Sequence, residues 1–196
     1  MIYAATITAA SLRLRESRLI ADLLLKQVTP AEWTSAIIDQ NILQMNSEAS
    51  TRIVARLLRA RLETMGEPLW EMVRDGGREL ATQATFAGAL KHSRLLADFL
   101  DISFREQRAL YAKSLTPQVW RDFISGCRGR DPDMPHWTDA TISKLRSSVF
   151  TMLTEAGYLR DTKSLALQNV FLDPTLVSYL TDQDETYVLR CLKVTE

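Results

Sequence analysis

Three arginines, Arg52, Arg56 and Arg59, fall at i, i+4 and i+7 in the stretch "STRIVARLLRARL". At about 100° per residue they share an arc of roughly 60° on a helix. Ile53, Val54, Leu57, Leu58 and Leu62 take the other side, and no acid lies between Glu48 and Glu63. Guanidinium groups so placed, unpaired within their own helix, can contact consecutive phosphates. The same face is also that of a solvated helix, or of one whose arginines pair with acids from elsewhere.

A second candidate surface lies in "TDATISKLRSSVFTMLTEAG". Ile142, Leu145, Val149, Met152, Leu153 and Ala156 form one helical face, and Ser143, Lys144, Ser147, Ser148, Thr151 and Thr154 the other. Small hydroxyl side chains with one lysine can approach a DNA groove and bond to phosphates or base edges. In "CRGRD", Arg128 and Arg130 flank Gly129. That stretch reads as a flexible loop able to reach a phosphate or a minor groove, with Asp131 and Asp133 close enough to neutralise it. Arg160 and Lys163 follow the second helix, diluted by Asp161. The candidate DNA contacts are therefore Arg52, Arg56, Arg59, Arg128, Arg130, Ser143, Lys144, Ser147 and Lys163.

Catalytic and metal chemistry find no comparable pattern. The only histidines are His92 and His136, and the spacing of His136 to Cys127, Asp131 and Asp133 fits no metal motif. There is no G-x-S-x-G, Gly-rich phosphate loop or H-E-x-x-H. No enzyme activity and no cofactor is expected. Arg61 projects into the apolar arc of its helix, where a structural salt bridge joining two parts of the chain is expected.

The elements that must carry these residues are helices with clear starts. Thr29-Pro30 with Glu32 forms a capping box, and Thr116-Pro117 repeats that start without the acid. Ser47-Glu48 and Thr138-Asp139 are each a cap followed by an acid, where the helix dipole favours negative charge. Gly66 and Gly157 suit the left-handed residue that ends a helix, and Gly76-Gly77 is the clearest break. Trp33 and Trp120 sit at matching positions of short helices and read as core anchors.

These starts recur in order. "SRLIADLL" at 17–24 returns as "SRLLADFL" at 93–100, "TPAEW" at 29–33 as "TPQVW" at 116–120, and "SEAS" at 47–50 as "TDAT" at 138–141. The repeated unit, helix, short helix, turn, long helix, has the outline of a helix-turn-helix module. After Gly157, the apolar pieces "SLAL" and "VFL" around Gln168-Asn169 read as a small β-hairpin, the wing of a winged helix. The expected architecture is mainly α, an N-terminal helical module over 1–78 and a C-terminal module with the winged segment over 79–196.

Composition fits a neutral globular protein. The 196 residues hold 24 basic and 24 acidic side chains, which excludes a polybasic protein held to nucleic acid by bulk charge. Locally, residues 1–65 carry 8 basic to 6 acidic and residues 105–163 carry 10 to 7, so the small basic excess sits on the two candidate modules. Cys127 and Cys191 lie in no C-x-x-C pair and read as reduced, semi-buried thiols. No signal peptide or membrane span is visible, so a cytoplasmic protein without membrane contact is expected.

The order "ESRLIADLLL", "EW", Asn41 to Leu43 as "N-x-L", "STRIVARLLRARL", "LLADFL", Trp120 to Phe123 as "W-x-x-F", and "LTEAGYL" resembles the BrxA family of BREX bacteriophage-exclusion systems along nearly the whole chain. That resemblance implies helix-turn-helix-like helical modules, similar in part to the NusB fold. It also implies non-catalytic binding of double-stranded DNA in phage defence. Other BREX proteins, a methyltransferase and ATPases among them, are the implied partners. The alternative is a protein–protein adaptor that assembles larger defence components with no direct DNA role. No family motif assigns individual DNA contacts.

Overall fold

In the computed structural model, which describes residues 3–194, most of the chain is helical. An N-terminal strap, residues 3–13, holds one 3-10 turn at Thr6–Ala9. Helix α1 (Leu14–Leu25) follows, then α2 (Pro30–Thr34), started by the expected Thr29–Glu32 capping box. It continues into a π turn, Ser35–Asp39, where the Gln40 amide donates to the Ser35 carbonyl at 2.9 Å. Helix α3 (Glu48–Leu62) carries the arginine stripe. Helices α4 (Glu67–Asp75) and α5 (Arg78–His92) meet at Gly76-Gly77, the expected break.

Helix α6 (Arg94–Asp98) passes through a π turn, Phe99–Phe104, into α7 (Arg105–Ala109). Then come α8 (Pro117–Arg130), α9 (Asp139–Glu155), α10 (Pro174–Asp182) and α11 (Thr186–Leu192). The caps of α3 and α9 are the same device. The Ser47 hydroxyl accepts from the Ser50 amide at 3.3 Å, and the Thr138 hydroxyl from the Thr141 amide at 3.2 Å; in each pair the two hydroxyls also bond to one another.

Two sequence expectations need correction here. Gly66 does not end a helix in the left-handed region; it precedes α4 with φ −88°, whereas Gly157, at φ +84°, does close α9 that way. The hairpin expected after Gly157 does not form as strands. Among the described residues there are only two isolated antiparallel bridges, Ser114 with Ala166 and Leu159 with Leu167. The first apolar piece turns back on 158–160 instead: the Arg160 amide donates to the Ala166 carbonyl and the Gln168 amide to the Tyr158 carbonyl, both at 2.9 Å, across a turn shaped by Asp161. Its carboxylate accepts from the Lys163 and Ser164 amides at 2.8 and 2.7 Å and from the Ser164 hydroxyl at 2.9 Å, and Leu165 is left-handed at φ +50°. This tight turn over 161–165 pairs 165–168 with 158–160 and 113–115, so the expected pairing across Gln168-Asn169 does not form.

One hydrophobic cluster runs through the whole molecule. Helix α5 lies at its centre, buried from Gln83 to Leu90, and packs on α1, α3 and α4 on one side and on α6, α10 and α11 on the other. Gly88 permits the close crossing of α3, because a Cβ there would stand 3.0 Å from the Arg61 carbonyl oxygen. Phe99 of the second π turn makes ring contacts with Trp120, Phe123 and Phe150, locking α8 and α9 to that turn. Trp120 is the core anchor expected. Trp33 is only partly buried.

Arg61 is 1% exposed, and its partners are not the carboxylate expected. Its Nη1 donates to the Ser11 carbonyl at 2.6 Å and its Nη2 to the Ala10 carbonyl at 2.9 Å. Burial pulls its pKa down to about 10, with the charge of Glu155 opposing that shift. Glu155 in turn accepts from the Leu12 amide at 2.7 Å. Two charged side chains, one from α3 and one from α9, thus hold three consecutive residues of the strap.

Candidate nucleic-acid interface

Helix α9 buries Leu145, Val149, Met152 and Leu153 and turns Ser143, Lys144 and Ser147 to solvent. The split follows the 3.6-residue period of its sequence. The Ser147 hydroxyl donates to the Ser143 carbonyl at 3.1 Å, which leaves its oxygen facing outward as an acceptor. Beside this face lies a depression of about 430 Å³ lined by Arg146, Ser147, Phe150, Thr151, Thr162, Leu165 and Pro117. The 161–165 turn forms one wall and the start of α8 the other. Lys163 and Arg160 stand exposed on and before that turn.

Asp161 stays ionised and its charge acts on Arg160, as the sequence suggested, although the two form no ion pair. Its oxygens are spent on turn amides and a hydroxyl, and those bonds hold its carboxyl below the ordinary range. Lys144, Arg146, Arg160 and Lys163 make no ion pair among the described residues. Arg128 is likewise exposed and unpaired, in the last turn of α8.

Arg130 does not belong to this surface. Residues 127–130 are the end of α8, not a loop. The Arg130 guanidinium folds back across Gly126 and over the rings of Tyr3 and Phe123; its Nε donates to the Tyr3 hydroxyl at 2.9 Å and its Nη2 to the Cys127 sulfur at 3.4 Å. The cluster that suggested a flexible loop is held by packing that sequence spacing does not show.

The arginine stripe is placed as expected on one face of α3, but two of its members are paired within the helix. Arg52 donates to Glu48 at 2.5 and 2.9 Å, and Arg59 to Glu63 at 2.7 Å, both at i,i+4 spacing. The acids that bracket the stripe in sequence are close enough to cap it at both ends. Arg59 also lies over the Trp33 ring, 4.6 Å from its centroid. Only Arg56 is free among the described residues. The three arginines rim an apolar groove of about 440 Å³ whose floor includes Trp33, Ile37, Ile38 and Ile53. Ile53, read as part of the buried side, is 49% exposed.

Comparison with known proteins gives these surfaces a family. A model of the BrxA family matches residues 1–184. The chain belongs to the BrxA family. It is 45% identical to the BREX protein BrxA of Paramagnetospirillum magneticum over 98% of this chain and 96% of that one. It is 30% identical to the BREX protein BrxA of Escherichia coli O9:H4, over 90% of this chain and 84% of the relative. A crystal structure of an uncharacterized protein from Magnetospirillum magneticum superposes with a TM-score of 0.92 at 45% identity, covering 99% of this chain and 100% of the other.

This BrxA-family chain also contains a buried polar network that the spacing of residues does not reveal. Asp98, 3% exposed, accepts from the Tyr3 hydroxyl at 2.6 Å, from the Tyr187 hydroxyl, and from Arg94 at 2.6 Å. The Tyr3 amide donates to Asp131 at 3.0 Å. Burial, with Asp98 adding to it, pushes the Tyr3 hydroxyl up to about 12 and the Tyr187 hydroxyl up as well. Strap, α6, α8 and α11 are joined there. The only available signal was an acid in the apolar run "RLLADFL". No described helix is long and apolar enough to cross a membrane, and no group of three metal-ligating side chains occurs among the described residues.

Proposed function

We propose that this BrxA-family chain is a non-catalytic accessory of a BREX phage-defence system that binds double-stranded DNA, with α9 and the 161–165 turn as the surface that meets the duplex. One observation carries the reading. The hydroxyl face of α9 borders a depression lined by Arg146, Ser147, Thr151 and Thr162, and Lys144, Arg160 and Lys163 stand exposed on that helix and on and before the 161–165 turn, none of them in an ion pair among the described residues. Small side chains at Ser143 and Ser147 let the helix approach a groove, while the cations take phosphates on either side. In this reading α8 and α9 act as a helix-turn-helix and the tight turn stands where a wing would. Arg128 adds a further phosphate contact. The designation of the relatives as BREX proteins supports the defence setting, with a methyltransferase or ATPase of that system as protein partner in the cytoplasm.

Such an interface reads backbone and shape more than sequence. The test is a fluorescence anisotropy titration with duplexes of two unrelated sequences at about 50 and about 200 mM salt, where counterion release makes affinity fall steeply. A second reading, the protein–protein adaptor, is favoured by the apolar floor of the α2–α3 groove.

A further inference from the structure

The groove between α2, its π turn and α3 has no part in the duplex reading. Its chemistry differs from that of the α9 surface. The floor is Trp33, Ile37, Ile38 and Ile53, and the rim is Arg52, Arg56 and Arg59, with no carboxylate in the lining. Ile53 leaves half its surface in water on a helix whose neighbouring apolar positions, Val54, Leu57 and Leu58, are buried. Arg52 and Arg59 hold exposed i,i+4 carboxylate partners, pairs of a kind that carry little energy and exchange readily for an incoming carboxylate, and Arg59 also lies over Trp33. Arg56 has none to give up.

We propose that this groove receives an amphipathic helical segment of a partner protein. That segment sets aliphatic or aromatic side chains on the Trp33–Ile38–Ile53 floor and Asp or Glu side chains against Arg52, Arg56 and Arg59. The size of the groove, about 440 Å³, suits a few apolar anchors spaced i, i+3 or i+4, and i+7. Charge complementarity decides the sign of the partner: the lining holds three cations and no acid, and although Glu48 and Glu63 pair Arg52 and Arg59 from outside it, Arg56 faces the entrant unpaired. The apolar floor decides its class. A phosphate backbone would desolvate the arginines and leave Trp33 and Ile53 against water or charge, whereas a peptide helix satisfies both at once. The C-terminal helices of a second copy are a poor fit, because α10 carries one acid and α11 none, and Leu176, Leu180, Val188 and Leu192 are already buried in their own chain.

The experiment uses the full chain and three fluorescein-labelled peptides. The first carries Leu at i, i+3 and i+7 with Glu on the flanks, the second replaces Glu by Lys, and the third keeps Glu but replaces Leu by Ser. The first peptide is expected to bind at least about tenfold more tightly than either control, a difference of the size that one anchor or one charge pair sets. Ile53→Glu and Arg56→Glu, both at exposed positions, are each expected to weaken it about tenfold while leaving the helical circular dichroism unchanged. Lys144→Ala with Lys163→Ala is expected to leave it untouched, so that failure of the duplex reading and failure of this one are told apart.

Equal binding of the three peptides, no saturable binding, or full binding by the Ile53→Glu variant overturns the proposal. So does a duplex that displaces the acidic peptide and itself loses affinity with Arg56→Glu, which assigns the rim to DNA.

Discussion

The Tyr3 hydroxyl donates a 2.6 Å hydrogen bond to the Asp98 carboxylate, 95 residues further along the chain. The same hydroxyl accepts from Arg130, and Asp98 also serves Tyr187 and Arg94. One oxygen near the N-terminus thus ties together α6, α8 and α11. Tyr3→Phe removes that oxygen and leaves a buried carboxylate short of a donor. It is expected to cost about 2 kcal/mol, read as a fall in the urea midpoint with unchanged slope. A loss under about 0.5 kcal/mol would show that water or a neighbour replaces the hydroxyl at no cost.

Arg61 anchors the strap from the other side. Arg61→Ala strips donors from two carbonyls and opens a cavity between α3, α5 and α9, with an expected cost of about 3 kcal/mol or more. Arg61→Met refills the volume but not the hydrogen bonds, and is expected to recover only part of the loss. If both variants are equally stable, the carbonyl contacts contribute nothing beyond packing.

Cys127 and Cys191 are buried and free. Burial pushes their thiols up from ordinary values near 9 to about 11 and about 12. Both are neutral at physiological pH, and native alkylation by iodoacetamide should be slower than in urea by roughly a hundredfold. The sign with pH follows. The folded chain keeps thiol and Tyr3 protons that the unfolded chain releases from about pH 9 upward. The stabilisation is therefore complete below that pH and is lost as pH rises through the raised values. Thermal midpoints should fall between about pH 9 and about pH 11; a flat profile there contradicts the burial argument.

The twin caps give a paired prediction. Thr138→Ala and Ser47→Ala each remove an acceptor for one amide of the first turn and the hydroxyl bond beside it. Each is expected to cost about 1 kcal/mol, additively in the double variant because α3 and α9 start far apart in the chain and share no cap partner. A strongly non-additive double would mean that the two starts communicate.

Local rules made the helix starts legible. The capping box at Thr29, the hydroxyl caps at Ser47 and Thr138, the Gly76-Gly77 break and the left-handed Gly157 all depend on a few adjacent residues. Long-range placement was not legible. Ser17 and Ser93 occupy the same place in the two echoed octets, yet Ser17 lies inside α1 and bonds to the Leu12 carbonyl, while Ser93 caps α6. Arg130 looked like part of a mobile basic loop because its partner, Tyr3, is 127 residues away. Arg61 was rightly placed among apolar neighbours, but nothing in the pattern said that carbonyls would meet it. The site was half legible: the hydroxyl face of α9 follows from periodicity, whereas the pairing of Arg52 and Arg59 with the bracketing glutamates turned the presumed phosphate stripe into the rim of an apolar groove.

The most direct test of the DNA-binding account is duplex anisotropy across a salt series with the native chain and with Lys144→Ala, Arg146→Ala and Lys163→Ala combined. The native chain is expected to bind both unrelated duplexes. The triple variant is expected to lose affinity on both alike and to flatten the log–log salt slope by about one for each phosphate contact removed. Native binding with unchanged slope and affinity in the triple variant, or no binding by the native chain at low salt, would contradict the assignment of α9 and its neighbouring turn to the duplex.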